Sequence, residues 1–129
     1  MKTLWVHREV DAPAEAVWAL LTNLDRWPTW GPTIRHAELD GLFEVGTTGT
    51  VTTLLGVRLP FEITAHDEGV RWTWTVAGVP ATDHAVEAPT PDRSRVGFGV
   101  PFAAAPYLVV CRVALSRLES IATSELVAA

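Results

Sequence analysis

The stretch DAPAEAVWALLT, residues 11–22, predicts the first helix of this chain. Asp11 can accept hydrogen bonds from the first turn of a helix, and proline is tolerated within that turn, where Pro13 stands. Apolar residues then recur with helical spacing up to Leu21. We therefore predict a helix over about residues 13–22.

The next residues, NLDRWPTWGP (23–32), predict a second, very short helix. Asn23 or Asp25 can cap it, and Gly31 followed by proline should end it, which leaves a helix from Arg26 to Trp30. Trp27 and Trp30 are three residues apart and share one face of such a helix. Both rings can point to the interior; we interpret Trp27 as a plug at one end of the sheet and expect Trp30 to reach the cavity.

On both sides of these helices the apolar residues alternate, which is typical of strands. In LWVHREV (4–10), Leu4 and Val6 should face inward and Trp5 outward. After Pro32 the period is two in six segments, which are residues 33–41, 49–55, 57–66, 70–78, 81–88 and 94–100. The expected turns lie at Gly56, 67–69, 78–80 and 89–92, and short strands with tight turns indicate an antiparallel meander.

The C-terminal part returns to a helical period. Its apolar side includes Tyr107, Cys111 and Leu118, which predicts one amphipathic helix over about residues 104–127. The expected fold class is α+β: a curved antiparallel sheet of about seven strands around a long C-terminal helix, in a single domain over residues 1–129. A hollow can remain between the sheet and the helix, and such a hollow is the default ligand site.

The composition excludes several function classes. The chain has 129 residues and a formal net charge of −5, so it lacks the basic footprint of nucleic-acid binding. One cysteine permits no internal disulfide, and the apolar run 101–111 is interrupted by Pro106 and too short to span a bilayer. The N-terminus has no signal-peptide pattern. We expect a cytoplasmic monomer or homodimer that does not insert into membranes.

The sequence also lacks the spacings that bind metals and phosphates. It contains no HxH, HExxH or paired cysteines, and no glycine-rich phosphate loop. We therefore expect neither a metal nor a cofactor. Gly97 and Gly99 alternate within one strand, where they should permit bending or the close approach of a helix.

The stretch from residue 11 to 41 resembles the opening of a known family. The residues that carry the resemblance are Ala12, Pro13, Val17, Trp18, Leu21, Leu24, Trp27, Pro28, Trp30, Pro32 and Gly41. They are similar to the polyketide cyclase/dehydratase and lipid-transport family of the START-like (SRPBCC, Bet v 1-like) superfamily. The resemblance implies a helix-grip fold, and family members include small-ligand carriers, cyclases and hydrolases. Compact turns between residues 42 and 70 favour a ligand smaller than a lipid.

Strand parity predicts which side chains face the interior. The predicted inward sets are Val57, Leu59, Phe61, Ile63 and Ala65; Val70, Trp72, Trp74 and Val76; Thr82, His84, Val86 and Ala88; and Val96, Phe98 and Val100. On this parity Asp83 and Glu87 should face water.

His84 is the most informative polar residue of these sets. An imidazole at the end of an apolar pocket can hydrogen-bond a ligand or transfer a proton, or it can be a structural histidine satisfied by a hydroxyl. It is our candidate catalytic residue. The candidate ligand-binding residues are Trp30, Phe61, Trp72, Trp74, His84, Val86, Phe98, Tyr107 and Cys111.

Three functions follow from this pattern. The first is the binding of a small, mostly hydrophobic ligand, aromatic or polyketide-like, in the cavity. The second is an enzyme of the cyclase/dehydratase type, in which His84 and Tyr107 move protons. The third is an interaction module with a filled core, which the outward Trp5 supports.

Overall fold

A computed structural model describes residues 2–128 of the chain, with side chains to Leu126. The strands are β1 (Thr3–Val10), β2 (Ile34–Leu39), β3 (Thr48–Thr53), β4 (Arg58–Asp67), β5 (Arg71–Val76), β6 (Val79–Thr90) and β7 (Arg93–Pro101). The helices are α1 (Ala14–Thr22), α2 (Trp27–Trp30) and α3 (Leu108–Ala128), with 3₁₀ turns at Leu24–Arg26 and Phe102–Tyr107.

The seven strands form one antiparallel sheet in the order β1-β7-β6-β5-β4-β3-β2. Each strand except β1 and β2 therefore lies between two neighbours, and the two edge strands carry the chain into and out of α1 and α2. Helix α3 packs on β1 and β7. Arg8 of β1 donates to Glu119 of α3 at 2.6 Å. The predicted helix-grip architecture is confirmed.

The segment between the first helix and β2 begins at Asn23 and ends at Gly31, as predicted. The Asn23 side chain accepts from the backbone N–H of Asp25 at 3.1 Å, and Gly31 donates to the carbonyl of Trp27. The cap predicted at Asp11 was wrong. Pro13 occupies the position before α1, and no side chain caps this helix.

The C-terminal helix begins four residues later than predicted. Pro106 has no N–H to donate, and Ala104 has φ −104° and ψ 24°, which is outside the helical region. Residues 102–107 therefore form a separate 3₁₀ segment. Tyr107 lies at the end of this segment, whereas the sequence placed it on the stripe of a continuous helix.

Bulges and turns change the predicted parity at several positions. The register of β4 and β5 shifts between Ile63 and Ala65, so His66 pairs with Trp72 and Ala65 leaves the inward set. Val57 lies just before β4 and Val70 lies in the turn before β5, and they are about half exposed, at 51% and 48%. Ala88 is exposed where the register of β6 and β7 shifts. The inward prediction was wrong for Val57, Ala65, Val70 and Ala88.

Asp83 faces the outer side of the sheet, but it does not face water as predicted. Only 8% of this residue is exposed, because the Arg71 guanidinium covers its carboxylate. The Nε of Arg71 donates to both carboxylate oxygens, at 2.8 and 3.0 Å. The opposite charge and the paired geometry offset the cost of burying this carboxylate.

The glycines of β7 admit side chains from β1, where we had predicted bending or a close helix. A Cβ at Gly97 would lie 2.6 Å from the His7 ring, and one at Gly99 would lie 2.9 Å from the Trp5 ring. The Trp5 and His7 rings stack on each other with centroids 5.7 Å apart. They cover the two glycines on the outer face of the sheet.

The core is built around aromatic side chains from α2 and the central strands. Trp27 is fully buried and stacks on Trp72 with ring centroids 5.4 Å apart. It also meets Trp74 edge-on at 5.3 Å and Phe61 at 5.8 Å. The indole N–H groups of Trp27 and Trp30 donate to backbone carbonyls of α1, both at 2.9 Å. The short helix therefore fastens α1 to the sheet.

Gly49 of β3 is required by the packing against Phe61. A Cβ there would lie 2.2 Å from the Glu38 carbonyl oxygen and 2.5 Å from the Phe61 ring. We expect Gly49→Ala to destabilise the protein by about 1–3 kcal/mol through overpacking, measured by urea unfolding. Gly41→Ala is the matched control, because its Cβ meets only Thr47 at 3.6 Å. Equal effects of the two substitutions would contradict this account.

Candidate ligand site

A cavity of about 380 Å³ lies at one end of the sheet, beneath the 3₁₀ segment that precedes α3. Its wall is mostly apolar and includes Trp74, but four hydroxyl-bearing residues also contribute. The lining residues are Thr33, Ile34, Val51, Thr53, Leu59, Trp74, Val76, Pro80, Ala81, Thr82, Val100, Pro101, Ala104 and Tyr107. Its size and lining are those of a small-molecule site.

A narrow recess of about 30 Å³ lies deeper, between α2, the central strands and α3. The two spaces adjoin, because they share five lining residues: Thr33, Ile34, Trp74, Thr82 and Tyr107. Trp30 and His84 line only the recess. A recess of this volume has room for about one water molecule.

A chain of hydrogen bonds runs from the cavity wall to His84. The indole N–H of Trp74 donates to Oγ1 of Thr82 at 2.9 Å, and this oxygen lies 2.9 Å from Nε2 of His84. Nδ1 of His84 lies 3.2 Å from the carbonyl oxygen of Trp72. Strand parity brings these groups together, because β5 carries both tryptophans inward beside β6.

The direction of this chain follows from the carbonyl at its end. A carbonyl oxygen only accepts, so Nδ1 of His84 must carry the proton that it shares with Trp72. In the neutral ring Nε2 then has a lone pair, and the Thr82 hydroxyl donates to it. The order of donation is Trp74 to Thr82 to His84 to the Trp72 carbonyl. We call this set of groups the Thr82–His84 relay.

Burial determines the charge of His84. Desolvation lowers the pKa of its imidazole from 6.5 to about 3, against a smaller opposing effect of the hydrogen bond to Trp72. No residue that lines the recess carries a formal charge. At neutral pH, His84 is therefore uncharged and has no proton to give as an acid other than the one bonded to the Trp72 carbonyl.

Tyr107 and Thr33 form a second polar pair on the cavity wall, with their hydroxyl oxygens 3.0 Å apart. Tyr107 is 39% exposed, but burial of the phenol nevertheless raises its pKa. The phenol therefore keeps its proton at neutral pH. Nearby, burial raises the pKa of the Cys111 thiol to about 11, so this thiol is not a nucleophile at neutral pH.

The candidate ligand-binding residues fall into three groups. Trp74 and Tyr107 line the wide cavity as well as the recess. Five line only the recess, and these are Trp30, Trp72, His84, Phe98 and Cys111. Phe61 and Val86 line neither space and lie in the packed core.

Thr82 is the important site residue that the sequence reasoning did not select. Strand parity places it on the inward face of β6, two residues before His84, but by itself gives it no role. Side chains two residues apart on a strand lie on the same face, so a hydroxyl beside the imidazole was readable from the spacing. Thr33 and Ala104 had no such signal, because neither lies in a strand: Thr33 precedes β2, and Ala104 follows β7.

No group of His, Cys, Asp and Glu side chains suited to a metal ion occurs in the described part of the chain. Within the same residues, no helix has the length and apolar character needed to cross a bilayer.

Comparison with known proteins adds the family and the fold. A sequence model of the family described as polyketide cyclase / dehydrase and lipid transport matches residues 1–119. No curated protein matches the sequence significantly. XoxI from Bacillus cereus superposes with a TM-score of 0.74 at 16% identity, over 95% of this chain and 96% of that one.

Two further solved structures have the same fold. An uncharacterized protein from Bacillus thuringiensis has a TM-score of 0.70 at 18% identity, over 93% of this chain and 98% of that one. The di-domain ARO/CYC StfQ from the steffimycin biosynthetic pathway has a TM-score of 0.73 at 16% identity. That match covers 92% of this chain and 44% of StfQ.

Proposed function

Since this chain belongs to the polyketide cyclase/dehydrase and lipid transport family, we propose that its cavity binds a small, mostly apolar ligand. The family supports a ligand-binding or cyclase-type role. We assign the ligand to the space of about 380 Å³ beneath residues 102–107. This volume suits a ligand of a few rings or a short chain, in agreement with the compact turns of the sheet.

The observation that carries this proposal is an open, largely apolar cavity beside a densely packed core. Trp27, Trp30 and Trp72 fill the centre of the fold and have little exposed surface, so they support the wall. Trp74 lies at the boundary and offers a ring against which a flat ligand can pack. The ligand would gain burial of apolar surface without rearrangement of the core.

Closing the cavity with a larger side chain should abolish binding. Ala104 lines the cavity, whereas its neighbour Ala103 is exposed and does not. We expect Ala104→Trp to weaken binding of an uncharged apolar probe such as N-phenyl-1-naphthylamine by roughly tenfold or more, since loss of a pocket removes most of the buried contact. Ala103→Trp is the matched control and should bind normally. Equal binding by both variants, with both still folded, would place the site elsewhere.

The second candidate function is catalysis of the cyclase type. Its support is the family and the shared fold of the ARO/CYC protein StfQ. In this proposal Tyr107, which keeps its proton at neutral pH, donates to a ligand carbonyl, and the Thr82–His84 relay serves as an internal base. The lowered pKa of His84 makes it a weak base, which favours the binding role over this one.

The ligand that the protein carries in its own host would distinguish the binding function from the cyclase-type function. Native mass spectrometry of protein purified from that host should detect a bound small molecule. With that molecule, His84→Ala tests the role of the imidazole: loss of turnover with retained binding would support the enzyme, and retained binding without any turnover in either protein would support the carrier.

A surface interaction module is the least favoured function. Trp5 is 37% exposed, but its ring already packs against His7 above the glycines of β7. A filled core, which this function requires, does not agree with a cavity of about 380 Å³.

A further inference from the structure

We propose that the ligand places a hydrogen-bond donor, such as a hydroxyl, against Thr82 at the inner end of the cavity. This inference rests on the proposed function and adds the polarity of the ligand to it. It follows from the direction of the hydrogen bonds in the Thr82–His84 relay, which leaves an acceptor and no donor on this part of the wall.

The donors at the inner end are already used. The indole N–H of Trp74 is bonded to Thr82, and the Thr82 hydroxyl is bonded to His84. The remaining proton of the relay, on Nδ1 of His84, is directed to the Trp72 carbonyl. A ligand carbonyl at this position would therefore lose its hydrogen bonds to water and find no donor, which is unfavourable.

Thr82 retains acceptor capacity. A hydroxyl oxygen has two lone pairs, and Trp74 occupies one of them. Thr82 lines the cavity, so a ligand hydroxyl can donate to the second lone pair. Trp72 has a buried indole N–H without a partner among residues 2–128, but Trp72 lines the recess and not the cavity.

The Thr33–Tyr107 pair offers a hydrogen-bond donor to the cavity, whereas Thr82 offers an acceptor. Thr33 and Tyr107 have two hydroxyl hydrogens between them, and their mutual bond uses one. The pair therefore keeps one hydrogen that it can donate. A ligand that contacts both Thr82 and the Thr33–Tyr107 pair would turn its hydroxyl toward Thr82 and a carbonyl or ether oxygen toward Tyr107.

Matched probes test this polarity. Isothermal titration calorimetry would compare 2-naphthol, which can donate, with 2-methoxynaphthalene, which can only accept, and with naphthalene. We expect 2-naphthol to bind the wild-type protein about three- to tenfold more tightly than 2-methoxynaphthalene, as one hydrogen bond predicts. Burial of apolar surface alone would favour 2-methoxynaphthalene. The expected order of the two affinities is therefore the reverse of the order that hydrophobicity predicts.

Variants assign the preference to Thr82. Thr82→Val should remove the advantage of 2-naphthol and Thr82→Ser should keep it. Thr52→Val is the control, because Thr52 is a strand threonine that does not line the cavity. Equal affinities for the donor and acceptor probes, or tighter binding of 2-methoxynaphthalene, would overturn the inference and leave the proposed function standing. If none of the three probes binds, the proposed function fails and the inference fails with it. If Thr82→Val does not fold, the probe comparison on the wild-type protein can still overturn the inference, and Thr82→Ser remains as the second variant.

Discussion

Lowering the pH from 7 to 4 is expected to reduce the free energy of unfolding by about 3 kcal/mol through His84 alone. In the folded protein the pKa of His84 is about 3, whereas its ordinary value, which applies to the unfolded chain, is 6.5. Below pH 6.5 the unfolded chain takes up a proton that the folded protein excludes. The contribution of uncharged His84 to the free energy of unfolding is therefore fully present above pH 6.5 and is lost as the pH falls toward 3.

The measurement is urea unfolding at a series of pH values, with His84→Gln as the comparison. Glutamine does not titrate, and its amide can still accept from Thr82 and donate to the Trp72 carbonyl. The variant should start less stable at pH 7 but lose less stability between pH 6.5 and 4. Carboxylates also protonate in this range, so the difference between the two proteins is the quantity that tests the prediction.

Parallel pH curves for the wild type and the variant would contradict the assignment. If His84→Gln does not fold, the ¹⁵N chemical shifts of the wild-type imidazole provide the same test. They should show a neutral ring protonated at Nδ1 at pH 5. A ring that titrates near pH 6.5 would overturn both the burial argument and the direction of the Thr82–His84 relay.

Trp27→Ala is expected to have the largest effect of a single substitution, about 3–5 kcal/mol of lost stability. Its ring is fully buried and contacts the rings of Trp72, Trp74 and Phe61. Truncation would leave a large cavity and would also remove the hydrogen bond to the Leu21 carbonyl. Both effects reduce the free energy of unfolding.

Two further variants separate these contributions in the same unfolding experiment. Trp27→Phe keeps most of the ring contacts but leaves the Leu21 carbonyl without its donor, so its effect should be about 1–3 kcal/mol. Trp5→Ala is the control for a tryptophan on the outer face, where we expect about 1 kcal/mol or less. A Trp27→Ala protein no less stable than Trp5→Ala would show that Trp27 does not hold the core together.

Most of the fold was predictable because its signals are local. Asn23 caps and Gly31 ends the short segment that carries Trp27 and Trp30, and these residues act within a few positions of themselves. The period of two is likewise a local pattern, and it placed Trp72, Trp74 and His84 on the inward face. It failed at Ala65 and Ala88, where bulges shift the register, because a bulge depends on how two strands pair.

The candidate site was predictable only in part. Parity brought Thr82 and His84 to one face, but the role of Thr82 depends on the Trp74 indole and the Trp72 carbonyl of the neighbouring strand. The burial of Asp83 likewise depends on Arg71, twelve residues away. Contacts between strands cannot be read from spacing within one strand.

The sequence by itself determined the order of the elements, the inward faces of β1, β5, β6 and β7 and the family, since local periods, caps and a contiguous motif carry this information. Only the tertiary structure established the cavity beneath residues 102–107, the start of α3 at Leu108 and the polarity of the Thr82–His84 relay. These properties depend on distances between segments far apart in the chain. A hydrogen bond acquires its direction, and an imidazole its lowered pKa, only when such segments meet and exclude water.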